Sequence, residues 1–335
     1  MKPRELRNST IVVVGATSGV GRATALSLAS IGARLVVVSR TGPHVDEVVG
    51  ECRQLGAEAV GVAADISTPA DVDRIVEAAV ARFGAIDTWI NTAAALIVGQ
   101  LHEQPVDQIE QLIATNVFGT TLTSRAAMTH FHARQQGVLI NVSSLLGVIP
   151  NPVVPTYAMS KFAICGLTLS LHQSTWHRSA IKVCTILPGP IDTPMFARAA
   201  NMSGRAIRAI PPASSPERAA AAVIRSARRP RRQRTTGFTG ALMMLGLHVV
   251  PRFTETVVAQ ISARLIFRGP PAPPTDGALE ATNVDTRTSG GWRRNAYRTR
   301  AGDAVGRHLA RRGNRHRKPD VGPEWTRAAS SARSI

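Results

Sequence analysis

Short apolar runs alternate with longer amphipathic segments over the first part of the chain. Apolar runs rich in β-branched residues predict buried strands at 11–14, 35–38, 59–63, 87–91, 138–142 and 182–187. Apolar residues at helical spacing between them predict helices at 20–31, 44–55, 70–83, 105–134 and from about 155 to 176. This alternation predicts an α/β fold with a doubly wound parallel sheet, which binds ligands at the carboxyl ends of its strands.

The pattern weakens after residue 200, where prolines interrupt it. We predict a short helix at 217–228 and an amphipathic helix at 253–267, whereas the apolar stretch 240–250 is too short to span a bilayer. A Pro-rich stretch at 269–274 predicts a stiff linker, and the remainder lacks periodicity. We therefore predict a single domain over 1–270, with its motif-bearing core at 8–200. A C-terminal extension, 271–335, is predicted to form a Pro-rich linker and a basic, disordered tail.

The net charge of +18 is concentrated towards the C-terminus of the 335-residue chain. Residues 283–335 contain 13 Lys and Arg against 4 Asp and Glu, and six more arginines lie between residues 225 and 234. Without these two regions the net charge is +3, which is ordinary for a soluble enzyme. Aromatic residues make up only 4% of the chain, which argues against a base-stacking nucleic-acid module.

The three cysteines are widely spaced and form no metal-ligand pattern, so we expect no metal site. An odd number of cysteines without a signal-peptide pattern predicts a reducing, cytoplasmic location.

A glycine-rich turn, Gly15-Ala16-Thr17-Ser18-Gly19-Val20-Gly21, follows the first predicted strand. Glycines let the backbone turn tightly and approach a pyrophosphate, which the amides and dipole of the following helix then favour. A purely structural strand-to-helix turn shows the same pattern, so the loop alone leaves both interpretations open.

Polar residues at the ends of the second and third predicted strands bear on the choice of cofactor. Ser39 and Arg40 stand where an acidic residue would bind the adenosine ribose hydroxyls and repel a 2′-phosphate. A guanidinium pairs with that phosphate, so Arg40 favours NADP(H) over NAD(H), with a solvated surface arginine as the alternative. Asp65, after the third strand, is expected to accept a hydrogen bond from the adenine amino group or to cap a turn.

Tyr157 and Lys161 are four residues apart, so on a helix they lie on one face, one turn apart. A nearby ammonium favours phenolate, and we expect the pKa of Tyr157 to fall below its usual value of about 10. Such a phenol exchanges a proton with a reacting oxygen near neutral pH. With Ser143 and Ser144 upstream and the glycine turn, these residues suggest hydride transfer coupled to proton transfer.

Together these residues resemble the short-chain dehydrogenase/reductase family, in its compact single-domain branch, over about residues 8–200. The matching elements are Gly15-x3-Gly19-x-Gly21, Asp65, Asn91-Thr92-Ala93-Ala94, Asn116, Ser144, Tyr157-x3-Lys161 and Pro188-Gly189-Pro190-Ile191-x-Thr193. The resemblance implies a Rossmann-like fold and a nicotinamide-dependent enzyme acting on CH–OH groups. We also expect a homo-oligomer, either a dimer or a tetramer.

The resemblance implies catalytic roles for Asn116, Ser144, Tyr157 and Lys161. Tyr157 would be the general acid/base, and Lys161 would lower its pKa and bind the nicotinamide ribose. Ser144 would polarise the substrate oxygen, and Asn116 would anchor a water that links Lys161 to solvent. Ser143 fits less well, because the family interval to tyrosine matches Ser144. The predicted cofactor-binding residues are Gly15, Thr17, Ser18, Gly19, Val20, Gly21, Ser39, Arg40, Asp65, Ile66, Asn91, Ala93, Tyr157, Lys161, Pro188, Gly189, Ile191 and Thr193.

Two positions depart from the family pattern. Val14 stands where the family usually has Thr, and Asn91-Thr92-Ala93-Ala94 replaces the usual Asn-Asn-Ala-Gly. We expect the second change to remove a hydrogen bond and a flexible glycine, and both departures to alter cofactor affinity or loop rigidity, with the proton-transfer groups untouched.

The segments expected to flank the reacting centre are apolar and lack an anchoring charge, which favours a lipophilic ketone, aldehyde or secondary alcohol. The predicted substrate contacts are Ser144, Leu146, Val154, Tyr157 and Met195. Core or oligomer contacts are the alternative role for the apolar members of this set.

We therefore predict an oxidoreductase that transfers a hydride between NADP(H) and a lipophilic substrate. A non-catalytic NADP(H)-binding sensor or scaffold is the competing interpretation, and nucleic-acid binding by the basic C-terminal part is disfavoured. The apolar segments at 238–250 and 253–267, with the arginines near 225–234, either dock on an anionic membrane or pack on the body or across a dimer.

Overall fold

The computed structural model describes residues 3–177, 180–266, 269–278 and 285–292, apart from the side chains of Phe238 and Thr239. Within these residues the strands are β1 (Thr10–Val14), β2 (Arg34–Ser39), β3 (Ala59–Ala63), β4 (Thr88–Asn91), β5 (Ile97–Val98), β6 (Gly137–Val142), β7 (Ile181–Leu187), β8 (Ala200–Asn201) and β9 (Gln233–Thr235). The α-helices are α1 (Gly19–Ala29), α2 (Gly42–Gln54), α3 (Pro69–Phe83), α4 (Val106–Ile113), α5 (Thr120–Arg134), α6 (Pro155–Ser174), α7 (Pro216–Arg228), α8 (Gly237–Val249) and α9 (Pro251–Ile266).

Seven of these strands form one sheet in the order β3-β2-β1-β4-β6-β7-β9, and every neighbouring pair is parallel. The doubly wound Rossmann-like fold predicted from the sequence is confirmed. From β1 the chain adds β2 and β3 on one side of the sheet, and from β4 it adds β6, β7 and β9 on the other. The direction of the crossovers therefore reverses between β1 and β4. A ligand crevice is expected at this point, outside the carboxyl ends of β1 and β4.

The sheet is buried on both faces because its strands alternate between two apolar cores. In β1, Ile11 and Val13 belong to one core, and Val12 and Val14 belong to the other. The first core is completed by α1, α2 and α7, and the second by α3 and α5. All five residues of β1 are buried, which explains why this strand reads as a continuous apolar run.

Several elements differ from the sequence prediction, and β5, β8 and α8 are among those that were not predicted. The helix expected at 105–134 is divided into α4 and α5 by a π-helical segment, Ala114–Gly119. The seventh strand, β9, lies within the arginine-rich stretch and was not predicted. Its three residues are only half-buried and pair with β7, as in Gln233 with Thr185. Such a short, polar strand at the edge of a sheet carries no apolar signal.

The Pro-rich stretch packs beside residues 201–206 in the structure. Asn201 and Thr275 exchange backbone hydrogen bonds of 2.8 and 3.1 Å, and the Ala206 amide donates to the Pro270 carbonyl at 2.9 Å. Residues 293–335, most of the predicted tail, lie outside the described residues, so the proposed boundary at residue 270 stays a prediction. None of the helices described is both long and apolar enough to cross a membrane.

Candidate active site

The glycine turn after β1 brings three backbone segments closer together than side chains would allow. Gly15 has a φ of 79°, and a Cβ there would stand 2.7 Å from the backbone nitrogen of Ala93. A Cβ on Gly21 would overlap the Gly15 carbonyl oxygen. The turn therefore requires glycine at both positions, and it lets α1 begin directly beside the end of β1.

The first residues of α1 present hydrogen-bond donors to the crevice. Ser18 is the N-cap residue but makes no side-chain cap, and the Gly19 amide donates to the Arg287 carbonyl at 3.2 Å. Amides at a helix start, together with the helix dipole, favour a phosphate. The turn exposes backbone in place of side chains, so the residues present fit the phosphates of a nicotinamide dinucleotide.

The ends of β2 and β3 complete the nucleotide side of the crevice. Ser39 Oγ accepts a hydrogen bond from Thr17 at 2.9 Å, and Arg40 is exposed, with one Nη 3.3 Å from the Ala278 carbonyl oxygen. One carboxylate oxygen of Asp65 accepts from the Ser67 amide and hydroxyl at 2.9 and 2.7 Å. Asp65 thus caps a turn at the start of α3, as the alternative interpretation holds, while it also lines the crevice.

Thr92, in the departure from the family motif, links β4 to the glycine turn. Its hydroxyl donates to the Val14 carbonyl at 2.6 Å and lies 3.3 Å from the Gly15 carbonyl oxygen. The expectation that this departure leaves the turn without a hydrogen bond is wrong, because the threonine hydroxyl reaches the turn.

Ser144, Tyr157 and Lys161 converge where β6 ends and α6 begins. Tyr157 and Lys161 are 9% and 2% exposed, and the ammonium nitrogen lies 5.5 Å from the centre of the phenol ring. Lys161 Nζ donates to the Val142 carbonyl at 3.4 Å, and the Ser144 side chain is close enough to Tyr157 to lower the pKa of the phenol. The Ser144 hydroxyl also accepts from the Leu146 amide at 3.1 Å, which fixes its direction.

Burial sets the protonation states of this group. It raises the pKa of Tyr157 to about 12, partly offset by the hydrogen bond from Ser144. It lowers the pKa of Lys161 to about 8, against an opposing effect of Cys165. The expectation that Lys161 lowers the pKa of Tyr157 is wrong for the protein by itself, because desolvation of the phenolate dominates.

The two adjacent serines have different surroundings. Ser143 Oγ donates to the Lys161 carbonyl at 2.9 Å and accepts from the Cys165 thiol at 3.3 Å. Both of these bonds hold α6 against the end of β6. Ser144 is the serine that affects the pKa of Tyr157, which favours Ser144 for the role that the resemblance implies.

Asn116 lies in the π-helical segment and ties three parts of the chain together. Its side chain accepts from the Ala95 amide at 2.7 Å and donates to the Ala95 carbonyl and the Ser160 hydroxyl, both at 3.0 Å. It is fully buried and does not line the cavity. A π-helical distortion is frequent at functional sites, where it redirects backbone groups.

Asn91 faces inwards beneath the crevice. Its amide donates to Asn141 at 2.8 Å, and its oxygen accepts from the Trp89 indole at 2.9 Å. Asn91 is thus the second predicted site residue that does not line the cavity. Its direct contact with a cofactor stays a prediction.

One cavity of about 340 Å³ joins the glycine turn to Ser144, Tyr157 and Lys161, which we call the Tyr157 group. It is lined by the other predicted site residues: Gly15, Thr17, Ser18, Gly19, Val20, Gly21, Ser39, Arg40, Asp65, Ile66, Ala93, Ser144, Leu146, Val154, Tyr157, Lys161, Pro188, Gly189, Ile191, Thr193 and Met195. Among the described lining residues, the charged side chains lie on the nucleotide side, except for that of Lys161.

Sequence reasoning missed the far wall of the cavity and a cation at its nucleotide end. Met243 of α8 and Val258, Ile261 and Ile266 of α9 line the apolar end. Arg198 lines the nucleotide end and donates to Ser18 Oγ at 3.0 Å. The apolar spacing of α9 was visible in the sequence, but its packing partner was not, and no motif includes Arg198.

The chain belongs to the short-chain dehydrogenase/reductase family. The family model described as short chain dehydrogenase matches residues 9–203, which is more than half of the chain and contains the glycine turn, Ser144, Tyr157 and Lys161. Members of this family of oxidoreductases use nicotinamide cofactors, NAD or NADP.

Similar proteins include three oxidoreductases from bacteria. The chain is 33% identical over 315 residues to the uncharacterized oxidoreductase YxnA of Bacillus subtilis, covering 90% of this chain and 87% of the relative. It is 33% identical over 195 residues to 3beta-hydroxysteroid dehydrogenase 1 of Eggerthella lenta, covering 58% and 74%. It is 34% identical over 187 residues to cis-4-hydroxycyclohexanecarboxylate dehydrogenase of Sinomonas cyclohexanicum, covering 56% and 74%.

Replacing Lys161 by methionine is expected to stabilise the fold at pH 7 by about 3 kcal/mol, because a pKa lowered by burial reports a buried charge that destabilises the folded state. An unfolded lysine binds its proton more tightly than Lys161 does, so the destabilising contribution of Lys161 falls as the pH rises from about 8 to 10.5. The advantage of the variant should therefore shrink over that range. Urea unfolding at pH 7 and pH 9.5 measures it, and a difference independent of pH would contradict this account.

Proposed function

We propose that this protein transfers a hydride between NADP(H) and a lipophilic ketone, aldehyde or secondary alcohol. The observation that carries the proposal is the position of the buried Ser144–Tyr157–Lys161 group within one cavity. On one side of it lies a glycine-lined crevice suited to phosphates, and on the other an apolar pocket. The bound nicotinamide supplies or accepts the hydride, and the side chains of the protein manage the proton and the substrate oxygen.

Tyr157 is the group that exchanges the proton. Its raised pKa keeps the phenol protonated at neutral pH, which is the form needed to protonate the oxygen of a carbonyl substrate. Ser144 donates a hydrogen bond to the same oxygen as negative charge develops there. In the reverse direction Tyr157 must act as a base, so positive charge near the phenol has to offset the effect of burial.

Asn116 and Lys161 support the return of the proton to solvent. Lys161, whose pKa is lowered to about 8, gives up a proton more readily than an ordinary lysine. Asn116 holds α6 through Ser160, one residue from Lys161, and the resemblance implies a water anchored beside it. These contacts support a relay that runs from Tyr157 through Lys161.

The apolar end of the cavity supports a lipophilic substrate that carries its oxygen on a ring. The names of two relatives refer to ring alcohols, a 3β-hydroxysteroid and a hydroxycyclohexane carboxylate. The second substrate carries a carboxylate, whereas the apolar end described here offers only Asn151 and Ser262 as polar side chains, and these are hydrogen-bonded to each other at 2.9 Å. A neutral ring ketone or alcohol is therefore the substrate class that we propose.

Arg40 supports NADP(H) as the cofactor, because it is exposed at the end of β2 and lines the nucleotide side of the cavity. No acidic residue takes that place in the sequence, so the ribose 2′-phosphate meets a guanidinium and no carboxylate. The predicted cytoplasmic location has no further support in the structure and stays a prediction.

An exposed apolar face supports the expected homo-oligomer. Leu242, Leu245 and Val249 of α8 are three and four residues apart, so they lie on one face of the helix. Together with Val250 and Phe253, each of these residues is between 47% and 68% exposed. Exposed apolar patches of this kind mark interaction sites. We propose that this face contacts a second copy of the chain, and an anionic membrane surface is the alternative that the sequence left open.

The Tyr157→Phe variant should lose reductase activity by about 10² to 10⁴-fold, because the proton donor is removed while the ring is kept. Absorbance at 340 nm with NADPH and a panel of neutral ring ketones measures the rate. NADPH binding followed by fluorescence should persist in the variant. An equal rate in both proteins would remove Tyr157 from the mechanism, and binding of NADPH without turnover of any substrate would favour the sensor alternative.

The Arg40→Ala variant should weaken NADPH binding by about tenfold or more and leave NADH binding unchanged, because only the 2′-phosphate pairs with this guanidinium. Fluorescence titration of both cofactors gives the two dissociation constants. Arg7→Ala serves as the control, since Arg7 is an exposed arginine before the amino end of β1, whereas the cavity lies at the carboxyl ends of the strands. A parallel loss for NADH would contradict the assignment.

The Phe253→Glu variant should shift the protein towards smaller species in sedimentation velocity, because a carboxylate is costly to bury in an apolar interface. Thr256→Glu, also on an exposed part of α9, is the matched control. Unchanged oligomers in the variant, together with co-sedimentation of the wild type with anionic vesicles at low salt, would favour the membrane alternative.

A further inference from the structure

Arg198 is a cation in the cavity that neither the family motifs nor the proposed mechanism uses. It follows the short 3₁₀ turn Pro194–Phe196, and its backbone amide bonds to the Pro194 carbonyl at 3.2 Å. Its side chain crosses to the glycine turn, where one Nη donates to Ser18 Oγ at 3.0 Å. Arg198 and Arg40 therefore approach the nucleotide end of the cavity from two different parts of the chain.

The guanidinium of Arg198 is held in an environment that favours an anion. Its Nε is buried and has no hydrogen-bond partner among the described residues. Burial lowers the pKa of Arg198, and the positive charge of Arg40 adds to this effect, while Asp285 opposes it. A desolvated donor without a partner is costly, so a further acceptor at this position would be strongly bound.

A C-terminal segment, residues 285–292, supplies acceptors to donors at the start of α1 and lies near Arg198. The Arg287 carbonyl accepts from the Gly19 amide at 3.2 Å, and the Thr286 carbonyl accepts from Arg22 at 2.9 Å. The Asp285 carboxylate, ion-paired with Arg287 at 2.8 Å, acts on Arg198 by its charge.

Trp292 anchors the other end of this segment. Its backbone amide donates to the Asp192 carboxylate at 2.8 Å, and its indole donates to the Thr193 carbonyl at 2.9 Å. The segment thus runs from the glycine turn to the loop after β7. The hydrogen bonds at its two ends are made with residues other than Arg198.

We propose that Arg198 binds a phosphate group of the nicotinamide cofactor, and that segment 285–292 competes with that phosphate for Arg198 and the Gly19 amide. An ionised carboxylate and a carbonyl oxygen present to these donors the kind of acceptor that phosphate oxygens present. The inference rests on the proposed function to the extent that a nicotinamide dinucleotide must bind in the crevice.

The test is fluorescence titration of the full-length protein with NADPH and with NADH, in the wild type and in Arg198→Ala, Arg198→Lys and Asp285→Asn. Arg205→Ala is the matched control, because Arg205 lies exposed on the same connection after β7 and does not line the cavity. Circular dichroism and thermal unfolding verify that each variant is folded.

We expect Arg198→Ala to weaken NADPH binding by about tenfold or more, and Arg198→Lys to weaken it less. An equal loss for NADH would identify the pyrophosphate as the bound group, and a loss confined to NADPH would identify the 2′-phosphate. Asp285→Asn is expected to tighten binding several-fold, because it removes the charge of the competitor.

An unchanged dissociation constant in a folded Arg198→Ala variant, with binding intact in the wild type, would overturn the proposal. Weaker binding in Asp285→Asn would overturn the competition, since Asp285 would then help Arg198 to bind. A wild type that binds neither NADPH nor NADH would instead overturn the proposed function itself.

Discussion

No side-chain atom fits where the backbone of Gly21 meets the carbonyl of Gly15, and the geometry of the cavity depends on this contact. Because the two glycines pack so closely, α1 begins directly at the end of β1 and directs its first amides into the crevice between β1 and β4. Parallel pairing then brings the ends of β2, β3 and β6 to the same edge of the sheet. The first amides of α1, Arg40 and the Tyr157 group therefore share one cavity although they are far apart in sequence.

Burial, more than nearby charge, sets the pKa values of Tyr157 and Lys161. Tyr157 and Lys161 are both buried, and burial favours the neutral form of each, so their pKa values move apart, that of the phenol upwards to about 12 and that of the ammonium downwards to about 8. Lys161 still carries its proton at pH 7, because its pKa of about 8 lies above that pH, so both side chains are protonated in the neutral range.

The amino-acid sequence was sufficient to predict the six apolar strands of the sheet, the helices between them and most of the cavity lining, because each leaves a local signal of period, glycine spacing or motif. It was insufficient where contacts join distant segments. β9 is short and polar, so nothing marked it as a strand until its pairing with β7 was known. Arg198 belongs to no motif. Asn91 matches the family pattern, but its side chain does not line the cavity. The π-helical segment around Asn116 read as an ordinary helix, since both share almost the same apolar spacing.

The two ends of the cavity are built from different parts of the chain. Most residues that line the nucleotide crevice, and the Tyr157 group, come before residue 202, whereas α8 and α9 close the apolar end as a helical hairpin that contributes no strand to the sheet. Changes in the inner face of this hairpin can alter the shape of the pocket without disturbing the sheet or the proton-transfer groups. The exposed outer face of the hairpin does not line the cavity, so its residues can change independently of the pocket. Substrate range and assembly can thus diverge among related proteins while the chemistry stays constant.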